Sequence, residues 1–178
     1  MVKAHPLEGA ELVEVVTKVW ADILGSAIGS KPFKIGVDIH PKPQIIAFFL
    51  HELIPAELAF RHPDLWRGEQ SAGNKDLVYI PNPEFSVEIK TFSHPTSIFG
   101  NRSYAQPSAK TKKSKDGYYL AINFQKFNKL GTVPLITCIR FGWLDHTDWT
   151  GQKAPTGQQA RLPLEVEKGK LIQLYPRE

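Results

Sequence analysis

The stretch Asp76-Leu-Val-Tyr-Ile-Pro-Asn-Pro-Glu-Phe-Ser-Val-Glu-Ile-Lys-Thr-Phe92 decides how this chain reads. Two runs rich in β-formers, 76–80 and 84–92, flank Pro81-Asn-Pro83, which has the chemistry of a turn. The runs are expected to be a hairpin, or two adjacent strands with a short link. Alternation along the second places Phe85, Val87 and Ile89 on one face and Ser86, Glu88 and Lys90 on the other. Glu88 and Lys90 therefore share a face, one strand period apart. Asp76 opens the first strand, and a tight link brings it beside Glu88.

Two carboxylates that close repel each other unless a cation lies between them. Mg²⁺ is a hard ion that takes oxygen ligands and keeps several waters. Asp76, Glu88 and the backbone carbonyl of Ile89 are the expected ligands. The chemistry that fits is phosphodiester hydrolysis. Lys90 is expected to stabilise charge developing on phosphorus. Its carboxylate neighbours oppose the lowered pKa that a general base needs, so the electrostatic role is preferred. A Glu-Ile-Lys triplet is also a common strand sequence whose polar side is simply solvated, so spacing alone does not decide.

Outward from this centre, residues 9–28 are expected to be helical, with Leu12, Val16, Val19, Trp20, Ile23 and Ala27 at three- and four-residue steps. A short strand is expected over 33–39. Residues 44–60 read as one helix or two short ones, because Pro55 lacks an amide hydrogen and clashes with the preceding turn. Residues 62–74 read as loop. Core strands follow at 118–124 and 133–141, then short strands at 162–166 and 171–175. The 178 residues suit one domain, and no internal repeat is visible.

Composition narrows the function classes. Apolar residues make up 42% and charged residues 22%, an ordinary globular balance that argues against disorder. The net charge of +4 favours a polyanionic partner only slightly. Cys138 is the sole cysteine, which excludes an internal disulfide and a cysteine-rich zinc site. No basic cluster followed by an apolar block marks a secretory leader. The longest apolar run, 45–50, is too short for a membrane span. A cytoplasmic protein with no membrane partner is the simple expectation.

Gly73-Asn-Lys-Asp76, followed by Val87-Glu-Ile-Lys-Thr91, resembles the core of the PD-(D/E)XK nucleases, with Lys75 where that motif usually has proline. A narrower resemblance, to type II restriction endonucleases, extends through Glu88-Ile-Lys-Thr-Phe-Ser93 and Ile98-Phe-Gly-Asn-Arg-Ser-Tyr-Ala-Gln106. The resemblance covers about residues 50–125. It implies an α/β fold with a mixed central sheet flanked by helices, a single nuclease domain over 1–178, and Mg²⁺-dependent cleavage of double-stranded DNA at a specific site. It also implies a homodimer and products with 5′-phosphates. Asp76 and Glu88 become metal ligands and Lys90 the catalytic lysine. Such enzymes often carry a further acid on an early helix; of Glu52, Glu57 and Glu69, Glu57 is favoured.

Asn101, Arg102, Ser103, Tyr104 and Gln106 follow the lysine strand and are candidates for DNA contact. Asparagine, arginine and glutamine can pair with base edges, while arginine and tyrosine can hold phosphates. Lys110, Lys112, Lys113 and Lys115 form a candidate phosphate-binding arm. Asp145, His146 and Asp148 sit too close together to face one ion without a special turn and are read as a rim loop. Two other functions use the same residues: a repair or junction-resolving nuclease, and a nucleic-acid-binding module without catalysis.

Overall fold

The computed structural model describes residues 5–107, 113–128, 132–154 and 156–176. In chain order the elements are α1 (Gly9–Gly25), β1 (Ala27–Ile28), β2 (Phe33–Lys34), α2 (Pro43–Arg61), β3 (Trp66–Gly68), β4 (Leu77–Tyr79), β5 (Val87–Phe92) and β6 (Phe99–Asn101). They continue with β7 (Gly117–Phe124), β8 (Ile136–Leu144), β9 (Thr150–Gly151), β10 (Gln159–Arg161), α3 (Leu164–Lys170) and β11 (Leu171–Tyr175).

Six strands form the central sheet in the order β11-β8-β7-β5-β4-β3. Only β5 and β7 run parallel; the other pairs are antiparallel. A parallel pair needs a crossover connection, and here residues 93–116 supply it, carrying β6. The mixed α/β architecture expected from sequence is the one found.

The sheet separates two apolar layers. On one face α1 contributes Leu12, Val16, Val19 and Ile23, and α2 contributes Ile46, Leu50, Ile54 and Leu58. These pack on Val87, Ile89, Leu120, Ile122 and Ile139. On the other face Tyr119, Ala121 and Leu144 meet Ile98, Trp149, Ala160 and Leu162, which belong to the small sheet β6-β10-β9 and its flanking turns. Each fully buried Leu or Ile contributes roughly 1.5–3 kcal/mol. That packing, more than intrinsic propensity, holds the helices on the sheet.

α2 runs unbroken through Pro55, so the alternative of two short helices is set aside. A proline inside a helix costs about 3 kcal/mol, and burial of Ile46, Leu50, Ile54 and Leu58 offsets it. α2 is also long and apolar enough to cross a bilayer, which the short run at 45–50 did not suggest. In the fold its buried side lies on the sheet.

Four local expectations are corrected. The expected loop at 62–74 contains β3, which pairs with β4 and buries Trp66. The strand expected from residue 84 starts at Val87, because Pro83–Phe85 forms a 3-10 turn capped by Asn82, whose side chain accepts from Glu84 N at 3.0 Å. Only Phe33–Lys34 of the 33–39 segment is a strand. The strand expected at 162–166 is replaced by β10 before it and α3 from Leu164 onward.

Candidate active site

β4 and β5 share a single register pair, Leu77 with Val87. Beyond it the two strands part, and the Asp76 carboxylate replaces a backbone acceptor: Ile89 N donates to Asp76 Oδ2 at 2.7 Å. Val87 and Ile89 face the α1/α2 core. By alternation Glu88 and Lys90 face the second layer, in register with Tyr119 and Ala121 of β7. Glu88 is only 3% exposed. Lys90 Nζ donates to Glu88 Oε1 at 2.8 Å and to the Ile89 carbonyl at 3.3 Å. The structure thus brings Asp76, Glu88, Ile89 and Lys90 together where the sheet opens.

Three further groups crowd this opening. Lys113 Nζ lies 3.2 Å from Asp76 Oδ1, 2.8 Å from Glu88 Oε2 and 3.8 Å from Glu69 Oε2. Its contact with Glu88 Oε2 is a close ion pair. Tyr104 Oη donates to Glu88 Oε1 at 2.7 Å. His51 of α2 places Nδ1 3.7 Å from Asp76 Oδ2. A cleft of about 540 Å³ adjoins the site, lined by His51, Glu52, Glu69 and Asp76 among others.

The electrostatics follow from burial against pairing. Burial alone would raise the Glu88 carboxyl, but the Lys90 and Lys113 charges outweigh it and hold its pKa down to about 2. Burial would lower Lys113, and Glu88 and Asp76 raise it instead. Lys75 is pushed down to about 8 by burial; Glu88 opposes that shift, while Lys113 and Lys90 add to it. Its ammonium donates to the Ser114 carbonyl at 2.6 Å and lies over the Tyr119 ring. Burial also lowers His51, with Asp76 opposing, which favours a neutral imidazole.

The donor set suits a hard divalent cation. Asp76 Oδ1 and Glu88 Oε2 already converge on one positive charge, the Lys113 ammonium. The Ile89 carbonyl faces the Lys90 ammonium beside them. Among the described residues no group of three His, Cys, Asp or Glu side chains is poised for a metal. Two carboxylates and a carbonyl fit an ion that retains waters.

The remaining sequence candidates are scattered. Glu57, the favoured accessory acid, does not join the centre: it lies 3.2 Å from Lys18 and 2.9 Å from Arg61. Glu52 and Glu69 are the early acids that reach the cleft. Asn101, Ser103 and Gln106 are exposed. Arg102 Nη1 donates to the carbonyls of Ala154 at 3.2 Å and Gly157 at 3.4 Å, bracing a neighbouring turn. Lys115 donates to the Ser103 carbonyl at 2.6 Å. Lys110 and Lys112 lie outside the described residues. Asp145 and Asp148 form a capping box around the turn at His146 and pair with Lys170, a structural arrangement. His51 carried no signal in sequence, because only the fold sets α2 against Asp76. Lys113 was visible as a lysine, but its place between the carboxylates was not.

Comparison with known proteins identifies the family. Residues 1–175 match the family described as ScaI restriction endonuclease. The chain is 47% identical over 177 residues to the type II restriction enzyme ScaI of Streptomyces caespitosus, covering 98% of this chain and 77% of that protein. No solved structure gives a significant match. With the match running nearly end to end, this chain belongs to the ScaI restriction endonuclease family.

Proposed function

We propose that this type II restriction endonuclease hydrolyses double-stranded DNA at the opening between β4 and β5, with Asp76, Glu88 and the Ile89 carbonyl holding Mg²⁺ and Lys90 facing the scissile phosphate. The observation that carries the assignment is the convergence of Asp76 Oδ1 and Glu88 Oε2 on one cation, with Lys90 beside them. When bound, Mg²⁺ supplies positive charge to the phosphate and lowers the pKa of a water. Hydrolysis forms a bond from water oxygen to phosphorus and breaks the bond to the 3′ oxygen. It leaves a 5′-phosphate and a 3′-hydroxyl. The Lys90 ammonium, tied to Glu88 Oε1, offsets negative charge gathering on the phosphoryl oxygens. Before a metal binds, Glu88 is already ionised, because the Lys90 and Lys113 ammonium groups flank it.

Two copies related by a two-fold axis would address the two strands of a symmetric site. We therefore take the working form to be a homodimer, acting in the cytoplasm. Contacts to DNA fall to the exposed Asn101, Ser103 and Gln106 on the rim, together with the neighbouring lysines.

The test is incubation of purified protein with unmodified phage DNA and MgCl₂, with EDTA as control. Discrete fragments that vanish with EDTA are expected. Lys90→Ala should slow cutting by about 10²–10³-fold, the usual cost of removing one group that stabilises transition-state charge. Absence of discrete fragments from several DNA sources and divalent metals would overturn the assignment.

A further inference from the structure

We propose that Tyr104 is a positioning residue of this centre: its hydroxyl fixes Glu88 by Oε1, so that Oε2 is the oxygen offered beside Asp76 Oδ1. This rests on the reading of Asp76 and Glu88 as metal ligands. It assigns the Phe99–Gln106 block a task within the chemistry, through a side chain that sequence reasoning placed against DNA.

The ring is held from several sides. β6 is pinned to β10, with Gly100 opposite Ala160. The chain then turns through a 3-10 segment, Arg102–Ala105, that carries Tyr104 inward. A Cβ on Gly100 would come within 3.1 Å of the Tyr104 ring and 3.2 Å of the Trp149 ring, so a glycine there permits the close approach. The Tyr104 ring sits 5.2 Å from Trp149 and 6.4 Å from Tyr119, centroid to centroid. Lys115 braces the same turn through the Ser103 carbonyl and lies over the Tyr104 ring at 5.4 Å.

From this seat the side chain acts on both functional groups of β5. The terminal torsion of a glutamate is soft, so a buried carboxylate rotates unless its oxygens are tied. Glu88 Oε1 has two donors, Tyr104 Oη at 2.7 Å and Lys90 Nζ at 2.8 Å. With Oε1 committed, Oε2 is the oxygen that meets the Lys113 ammonium, 2.8 Å away, beside Asp76. The face of the Tyr104 ring also lies 5.0 Å from Lys90 Nζ, a cation–π contact that orients the ammonium. Partners one step removed from a metal commonly control affinity or activity by 10–100-fold.

The experiment compares the full chain with Tyr104→Phe, Tyr104→Leu and Glu88→Gln. Ca²⁺ binding is measured by calorimetry, DNA binding by gel shift in EDTA, thermal melting by circular dichroism, and cleavage in a single turnover. Tyr104→Phe keeps the ring and removes the hydroxyl. It is expected to weaken Ca²⁺ binding and slow cleavage by about 10-fold or more, at unchanged melting temperature and DNA affinity. Tyr104→Leu should slow cleavage further, because Lys90 also loses its ring. Wild-type Ca²⁺ affinity in Tyr104→Phe, with affinity lost in Glu88→Gln, overturns the proposal and leaves the metal centre standing. If Glu88→Gln also binds Ca²⁺ as wild type does, the centre is misassigned and the role of Tyr104 falls with it. Weakened DNA binding in EDTA with Ca²⁺ affinity intact would make Tyr104 a DNA contact and overturn the proposal as well.

Discussion

Lys75 shows what a single residue costs and supplies here. Its ammonium is partly buried beside the centre, and its pKa falls to about 8. An unfolded lysine keeps its proton to about 10.4. As pH rises from about 8 through that value, the folded chain gives up its proton first and the unfolded chain binds more. Stability therefore rises over this window, and the burden is carried in full below it. At 1.36 kcal/mol per pKa unit the burden is on the order of 3 kcal/mol. Lys75→Met should raise the melting temperature at pH 7 by several degrees, and the gain over wild type should shrink in melts run toward pH 10. An equal gain at both pH values would show that Lys75 does not titrate as described. In sequence Lys75 registered only as a departure from a motif. Asp76, Glu88 and Lys90 were legible because alternation along one strand and one short link relate them. Lys75, His51 and Lys113 act through contacts that only the folded chain makes: Lys75 with Ser114, His51 with Asp76, and Lys113 with Glu88.

At the scale of elements, α1 was legible from its helical period and β7 from an unbroken apolar run. β3 was not, since three residues show no periodicity, and nearby Asp64 and its own last residue, Gly68, read as turn. Yet Trp66 is among the largest fully buried side chains, with its ring 4.7 Å from that of Tyr79. β3 also backs β4, whose N-terminal neighbour is Asp76. Trp66→Ala should cost about 3–5 kcal/mol, read from urea denaturation, and should reduce cleavage by loosening β4. A loss under 1 kcal/mol would mean that β3 is peripheral to the sheet. α2 teaches the opposite lesson about sequence signals. Pro55 is a correct local signal of a helix break, overridden by a buried stripe from Ile46 to Leu58.

For the whole molecule, the family resemblance implied the mixed sheet and its flanking helices but not the second apolar layer. That layer rests on β6, β9 and β10, none longer than three residues, which meet only through contacts distant in sequence. The homodimer we assign is checked by sedimentation equilibrium, where twice the chain mass of 20.0 kDa is expected. A species of single-chain mass that still cuts both strands in one encounter would refute it. The parting of β4 from β5 has one more consequence. The Ile89 amide is anchored by the Asp76 side chain rather than by a neighbouring backbone, so its solvent hydrogen exchange is a clock for that carboxylate. In Asp76→Ala the Ile89 amide should lose protection, while amides paired between β7 and β8 keep theirs. Measured site by site, the exchange of this one proton would follow the Asp76 carboxylate in a protein that is not cutting anything.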